Sequence, residues 1–382
     1  MIYLDNSATT RAFDEAARAA LSCMRETYFN PSSAYAPAVA LERRINESRA
    51  HFAMLFGHPD GDVVFTSGGT ESNNMSVFGS PPVGRGKKRI VTSTAEHASV
   101  YEACRLLEEQ GAAEVVYLAT DKTGAVDMDA LSATLTPNTS FVSLMHVNNE
   151  TGAVTNIFEA YARIRRLAPQ AAFHVDGVQA FCKQPFAPLP CDLYSISGHK
   201  FHAPKGVGAL YIRRGLKFSG TQIGGGQERG FRSGTLNAPG ILGMETALVI
   251  YQKNQAEFVQ TMRACKLRLC ENLTHTLPDV VVNGPAPAVG APHILNLSFL
   301  GVRGEVLLHS LEQAGIYVST GSACSAKKKG KSRVLASLGA SAGRQESAVR
   351  FSFCPMNTLS EMDEAAAAIT EHVQQLRRYQ RR

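Results

Sequence analysis

The chain has 382 residues, of which 44% are hydrophobic and 19% charged, with a net charge of +6. That length exceeds the usual single core, so two compact domains are expected, and the composition is that of a soluble globular protein. No apolar stretch approaches the ~20 residues that cross a bilayer, which excludes a helical membrane span. The N-terminus lacks a basic flank leading into an apolar run, so the chain is expected in the cytoplasm.

From about residue 60 to 212, apolar β-rich runs alternate with amphipathic stretches. The strand candidates are 62–66, 89–93, 114–118, 141–147, 172–176, 193–197 and 208–212. Between them, 100–110, 129–135 and 158–167 carry apolar residues at helical intervals. This alternation predicts an α/β fold whose large domain has a mainly parallel seven-stranded sheet between helices. After Gly224-Gly225-Gly226 the pattern changes. A long helix is expected from about 238 to 273 with a break near Asn254, followed by short strands at 280–283, 294–299, 316–320 and 348–353. A closing helix over 360–378 completes a smaller α+β domain. The expected division is 13–250 for the large domain, with 1–12 and 251–382 forming the small one.

In such a sheet, ligands bind beyond the carboxyl ends of the strands. Asp176 closes one apolar run and Lys200 follows the next. A carboxylate and an amine at neighbouring strand ends suit a two-point holder for pyridoxal phosphate, the amine forming a Schiff base and the carboxylate pairing with the ring nitrogen. A strand-end aspartate and a surface lysine would look the same in isolation. Thr66-Ser67-Gly68-Gly69-Thr70-Glu71 follows a strand and opens a helix, which suits a phosphate or an ordinary N-cap equally. Glu96-His97 and Asn148-Asn149-Glu150-Thr151-Gly152 end two further strands; the first suits proton transfer, the second a ring hydroxyl or simply a turn.

The eight cysteines show no C-x-x-C spacing, so no structural zinc is expected and most are read as small buried hydrophobes. Cys324 differs, because it sits among small residues before Lys327, Lys328, Lys329 and Lys331. Nearby cations favour the thiolate, the attacking form. Those lysines with Arg333, and Arg377, Arg378, Arg381 and Arg382 at the end, read as a solvated loop and a frayed tail. Nucleic-acid binding is not expected, because no aromatic residues interleave with the first cluster. Arg350 lies inside an apolar strand and calls for an anionic partner, a structural carboxylate or a substrate one.

Assembled in order, these motifs resemble the cysteine desulfurases of the class V aminotransferase family, fold type I enzymes dependent on pyridoxal 5'-phosphate. The likeness runs nearly end to end through Tyr3–Thr10, Asn30–Ser33, Thr66–Asn74, Glu96-His97, His146–Gly152, His174–Gln179, Ser195–Lys200, Gly224–Thr235, Gly321–Cys324 and Val349–Ser352. The resemblance implies that Lys200 holds the cofactor and shuttles protons, that Asp176 meets the ring nitrogen, and that His97 stacks on the ring as an acid–base group. It implies Gln179 and Asn149 at the ring hydroxyl and substrate. Gly69, Thr70, Ser197 and His199 fall at the phosphate, with Thr235 reaching across from the partner in a homodimer. Arg350 would take the carboxylate of L-cysteine and Cys324 its sulfur, for an acceptor protein such as an iron–sulfur scaffold or for tRNA thiolation. A selenocysteine lyase or another class V lyase or aminotransferase is the alternative, and Cys324 discriminates against the aminotransferase. The family pattern is departed from at Tyr35, at Phe353-Cys354-Pro355-Met356 and in the basic run Lys327–Lys331. That run predicts an acidic docking face on the acceptor.

Overall fold

A computed structural model of the chain describes residues 1–57, 61–83, 86–321 and 332–380. A short strand β1 (Ile2–Tyr3) leads into α1 (Asp14–Arg25) and α2 (Ala36–Met54). Then strands and helices alternate as β2 (Asp62–Thr66), α3 (Gly69–Gly79), β3 (Lys88–Ser93), α4 (Ala98–Glu109), β4 (Ala113–Leu118), α5 (Met128–Thr134), β5 (Thr139–Met145), α6 (Ile157–Leu167), β6 (Ala172–Asp176), β7 (Leu193–Ser197) and β8 (Gly208–Ile212). The sheet order is β2-β8-β7-β6-β5-β3-β4. Strands β5 to β8 are buried along their whole length, as expected of strands covered on both faces.

Strand β8 runs against both its neighbours, while the β3, β4, β5, β6 and β7 pairings are parallel. The cause is local. Only residues 198–207 separate β7 from β8, too few for a crossover helix, so the chain turns back on itself.

Beyond the sheet, α7 (Ala238–Thr276) is followed by β9 (Val280–Val282), β10 (Ile294–Phe299), α8 (Gly304–Gln313), β11 (Ile316–Tyr317), α9 (Arg333–Ser337), α10 (Ala342–Glu346), β12 (Ala348–Ser352) and α11 (Leu359–Gln380). The order β12-β10-β9 forms a second, antiparallel sheet, and β11 pairs with β1. The break expected near Asn254 does not occur. Asn254 turns its side-chain amide back onto the Ile250 carbonyl (2.9 Å), and the helix continues through it.

That unbroken helix serves two cores. Its first half gives Ile241, Met244, Leu248 and Tyr251 to the cluster beneath the large sheet. Its second half gives Met262, Leu269 and Leu273 to the cluster that also contains Ile2, Leu4, Leu297, Phe351 and Ile369. The N-terminal tract therefore packs with the C-terminal third, close to β12.

Two cations expected in solvated segments are anchored instead. Arg333 opens α9 with its guanidinium 3.6 Å from the centre of the Tyr101 ring, a cation–π contact. Arg377 lies within α11 and donates to the Leu300 carbonyl at 3.1 Å.

Candidate active site

The carboxyl ends of β2, β3, β5, β6 and β7 lie along one edge of the sheet, and the polar motifs follow those ends. Asp176 is the last residue of β6 and is 2% exposed. One carboxylate oxygen accepts from the Val178 N–H (3.0 Å), the other from the Asn73 side chain (2.8 Å). Asn73 Nδ2 also reaches Ser99 Oγ at 2.9 Å, and Ser99 Oγ lies 2.8 Å from His97 Nδ1. A hydrogen-bonded relay thus joins Asp176 to His97 across α3 and the start of α4.

His97 caps α4, its Nδ1 accepting from the Ser99 N–H at 3.2 Å. A nitrogen that accepts carries no proton, so the neutral ring is protonated at Nε2. Burial lowers the His97 pKa; Asp176 opposes this, and the charges of Lys200 and Arg333 assist it. These groups therefore share one electrostatic neighbourhood. Glu96, beside it, is pushed well above the carboxylate range by burial and then by Asp176. Neighbouring buried carboxyls oppose each other's charge, and burial and Asp176 both push Glu96 toward its protonated form.

Lys200 sits in the turn after β7, its Nζ donating to the carbonyls of Ser7 (2.6 Å) and Ala8 (2.7 Å). The Gln179 side chain also donates to Ser7 O (2.9 Å) and has His293 Nε2 3.3 Å from its carbonyl. Both of its amide ends are thus engaged. His199 touches Thr9 Oγ1 at 3.1 Å and is lowered to about 4, first by burial and then by Lys200 and other lysines.

The Thr66–Glu71 turn brings β2 onto α3. Gly68 has φ +151, and no side chain caps the helix at this N-cap. A Cβ on Gly69 would lie 2.6 Å from Val178 Cγ2 and 3.4 Å from Ser197 Cβ, so the backbone there closely approaches the turn after β6 and the end of β7. Gly208 of β8 is needed for the same packing, because its Cβ would fall 2.6 Å from Gly68 Cα. The result is a helix start with exposed Thr70 at its rim, carrying the partial positive charge that attracts anions. Against burial, which pushes the other way, bonds to Arg232 and Ser67 keep Glu71 below its usual range. The Arg232 bond (2.8 Å) also ties the loop carrying exposed Thr235 to α3.

Arg350, in β12, is 1% exposed. Its guanidinium donates to the Asn149 carbonyl (2.9 Å) and to Asp5 Oδ1 (2.8 Å), while Nε is buried without a partner among the described residues. Asn149 thus contacts Arg350 through its backbone. Asn148 makes the turn, accepting from the N–H groups of Glu150 (2.9 Å) and Thr151 (3.0 Å).

Cys324 and Lys327–Lys331 lie outside the described residues. The seven described cysteines are free and buried. Burial pushes Cys104 up to about 12, Cys265 and Cys354 to about 11, and Cys182 and Cys191 well above the usual thiol value. Such thiols are held protonated, poor nucleophiles at neutral pH.

Sequence reasoning missed Asn73 and Ser99 as the links between Asp176 and His97, and Asp5 as the partner of Arg350. Asn73 and Asp5 stood inside motifs already singled out, Thr66–Asn74 and Tyr3–Thr10. Their partners lie 103 and 345 positions away, and no local pattern encodes such separations.

The family model "Aminotransferase class-V" matches residues 2–364. A cysteine desulfurase of Trichormus azollae is 38% identical over 379 residues, covering 99% of this chain and 94% of that protein. A solved NifS-like protein superposes with a TM-score of 0.88 at 33% identity, covering 97% of this chain and 98% of the other. A structure described as SspA in complex with cysteine gives a TM-score of 0.79 at 27% identity, covering 94% and 100%.

Proposed function

The chain belongs to the class V aminotransferase family, among the cysteine desulfurases, and on that premise we propose that it takes sulfur from L-cysteine with the help of pyridoxal 5'-phosphate, giving L-alanine and a persulfide on Cys324. One observation carries the reading. A buried, doubly hydrogen-bonded carboxylate at the end of β6, an amine just beyond β7 and an uncapped glycine-lined helix start lie at one edge of the sheet.

That donor set fits the cofactor. Asp176 is fixed by the neutral donors Val178 N–H and Asn73, and a carboxylate so held is what a ring-nitrogen cation requires. The close approach of Gly69 to Val178 and Ser197 leaves no room for a side chain, which is how backbone comes near a phosphate. Lys200 would carry the group, with Thr70, Ser197 and His199 around its phosphate and His97 over its ring. When bound, the cofactor supplies the electron sink that stabilises a carbanion at the substrate α-carbon.

The chain's own groups do the rest. Arg350 binds the substrate carboxylate, beside the Asn149 carbonyl that orients it. The Lys200 amine takes the α-proton. His97, neutral because burial depresses its pKa, exchanges a proton at Nε2 while Ser99 holds Nδ1. The Cys324 thiolate attacks the substrate sulfur, and the carbon that loses it takes a proton and leaves as alanine. The inert character of the buried thiols supports giving this step to Cys324. A homodimer completed by Thr235, and delivery of the sulfur to an iron–sulfur scaffold or to tRNA thiolation, belong to the same proposal.

The test is alanine and sulfide release from L-cysteine with a thiol reductant, comparing cofactor-loaded protein with Cys324→Ser. Equimolar products from the first, and none from a second that keeps its cofactor absorbance, are expected. Full activity in Cys324→Ser would replace the desulfurase with a lyase or aminotransferase.

A further inference from the structure

Arg350 is one of the largest fully buried side chains of the protein, and a buried guanidinium without an anion is costly. In this structure the anion is Asp5, at 2.8 Å through a single carboxylate oxygen. The two partners differ in accessibility. The Arg350 side chain is 2% exposed and that of Asp5 is 20%, so Asp5 is the member nearer water.

The Asp5 backbone is pinned. Residue 5 bridges Ser352 on β12, the Ser352 N–H donates to Leu4 O at 2.7 Å, and the Tyr3 hydroxyl donates to Asp5 O at 3.1 Å. Only the side chain is placed to move. Among the described residues, the groups that also feel the guanidinium include the neutral Asn149 carbonyl, the Tyr3 hydroxyl, His293, and buried Glu150, which is raised by burial against the bond from Ser332 and the pull of Arg350 and Arg333.

A substrate carboxylate at Arg350 would put a second fixed anion on a guanidinium that already has one. Like charges that close in a buried site oppose each other. We propose that Asp5 is a gate on the substrate-carboxylate site: its side chain neutralises Arg350 when no substrate is present, and the incoming amino-acid carboxylate must displace it toward water. This deepens the reading of Arg350 given above and rests on it. Asp5 acts through Arg350 and is a positioning residue, and no bond is made or broken in the exchange. The gate selects for a carboxylate, because only an anion replaces what Asp5 gives up.

Asp5→Asn keeps an oxygen acceptor at Oδ1 and removes the charge. A charge-assisted hydrogen bond becomes an ordinary one, so the displacement becomes easier by roughly fivefold to tenfold. Calorimetric titration of the cofactor-loaded protein with L-alanine should show that much tighter binding in Asp5→Asn. Titration with ethylamine, the same amine without the carboxylate, should not differ between the two proteins. Arg350→Lys is the companion and should weaken L-alanine while leaving ethylamine unchanged. If Arg350→Lys weakens L-alanine but Asp5→Asn fails to tighten it, or weakens it, the gate is overturned and the arginine assignment stands. An Arg350→Lys protein that binds L-alanine as the parent does overturns the assignment and the gate with it.

Discussion

Asp176 and Arg350 are both buried charges at the candidate site, and the protein stabilises them in opposite ways. Asp176, at the end of a strand in the large sheet, is held by two neutral donors, and its charge adds to burial in pushing Glu96 toward its protonated form. Arg350, in the small sheet, leans on a partner that is itself charged and partly wet. The first arrangement is fixed and suits a charge that must not move while chemistry happens above it. The second, in the reading proposed above, is exchangeable and suits a charge that accepts a different anion at each turnover. A buried charge with neutral partners reads as a fixture, and one whose counter-ion is the member nearer water reads as a docking point.

The comparison breaks most severely at the amine. Lys200→Ala should cut alanine formation about a thousandfold or more, because the proposal gives Lys200 both the cofactor attachment and the proton transfer. Asp176→Asn keeps the shape and the Asn73 contact but loses the charge. Its kcat/KM should fall roughly 100-fold to 1,000-fold in steady-state assays, with the protein still folded by circular dichroism. At the exchangeable site, Arg350→Lys should act mainly on KM, raising it about 10-fold to 100-fold, since lysine cannot keep the planar fork that meets Asn149 and a carboxylate together. A matching loss in kcat alone would mean that Arg350 is not a docking point. Asn73→Ala cuts the relay and removes one of the two donors to Asp176 while leaving Asp176 and His97 in place, and should lower kcat/KM about tenfold and shift the acid limb of the pH–rate profile.

Acid sharpens the contrast through stability. His174 lies between Ser143 Oγ (2.8 Å) and Ser195 Oγ (2.9 Å), and burial lowers it to about 3. His146 and His202 are lowered by burial to about 4. Their folded values lie below that of an unfolded histidine near 6.5, so between those limits the unfolded chain binds more protons. The histidine contribution to stability is therefore complete above about pH 6.5 and declines as pH falls toward 4, each ring contributing up to roughly 1.4 kcal/mol per pH unit. Denaturant midpoints measured from pH 7.5 to 4.5 should fall monotonically, and a flat profile would show that these rings are not held neutral.

Much of this was legible in the residues. The central strands of the large sheet read correctly because both faces are covered, so each is a nearly continuous apolar run bounded by turns. Asp176, Lys200 and the Thr66–Glu71 turn were visible because strand-end chemistry is local. Other features depended on distant partners. The antiparallel β8 followed from a loop too short to cross over, a constraint apparent only once the sheet order is known. The helix through Asn254 continued because two separate cores draw on its two halves, and a single asparagine does not outweigh that. Asn73 and Asp5 were seen as parts of motifs, but their roles lie in contacts across the fold.

The most direct test of the account is where the cofactor attaches. Protein loaded with pyridoxal 5'-phosphate would be reduced with borohydride, digested and mapped by peptide mass spectrometry. The account predicts a single adduct on Lys200, lost in Lys200→Ala. An adduct on another lysine such as Lys183 or Lys205, or none in a protein that still turns over L-cysteine, would contradict it.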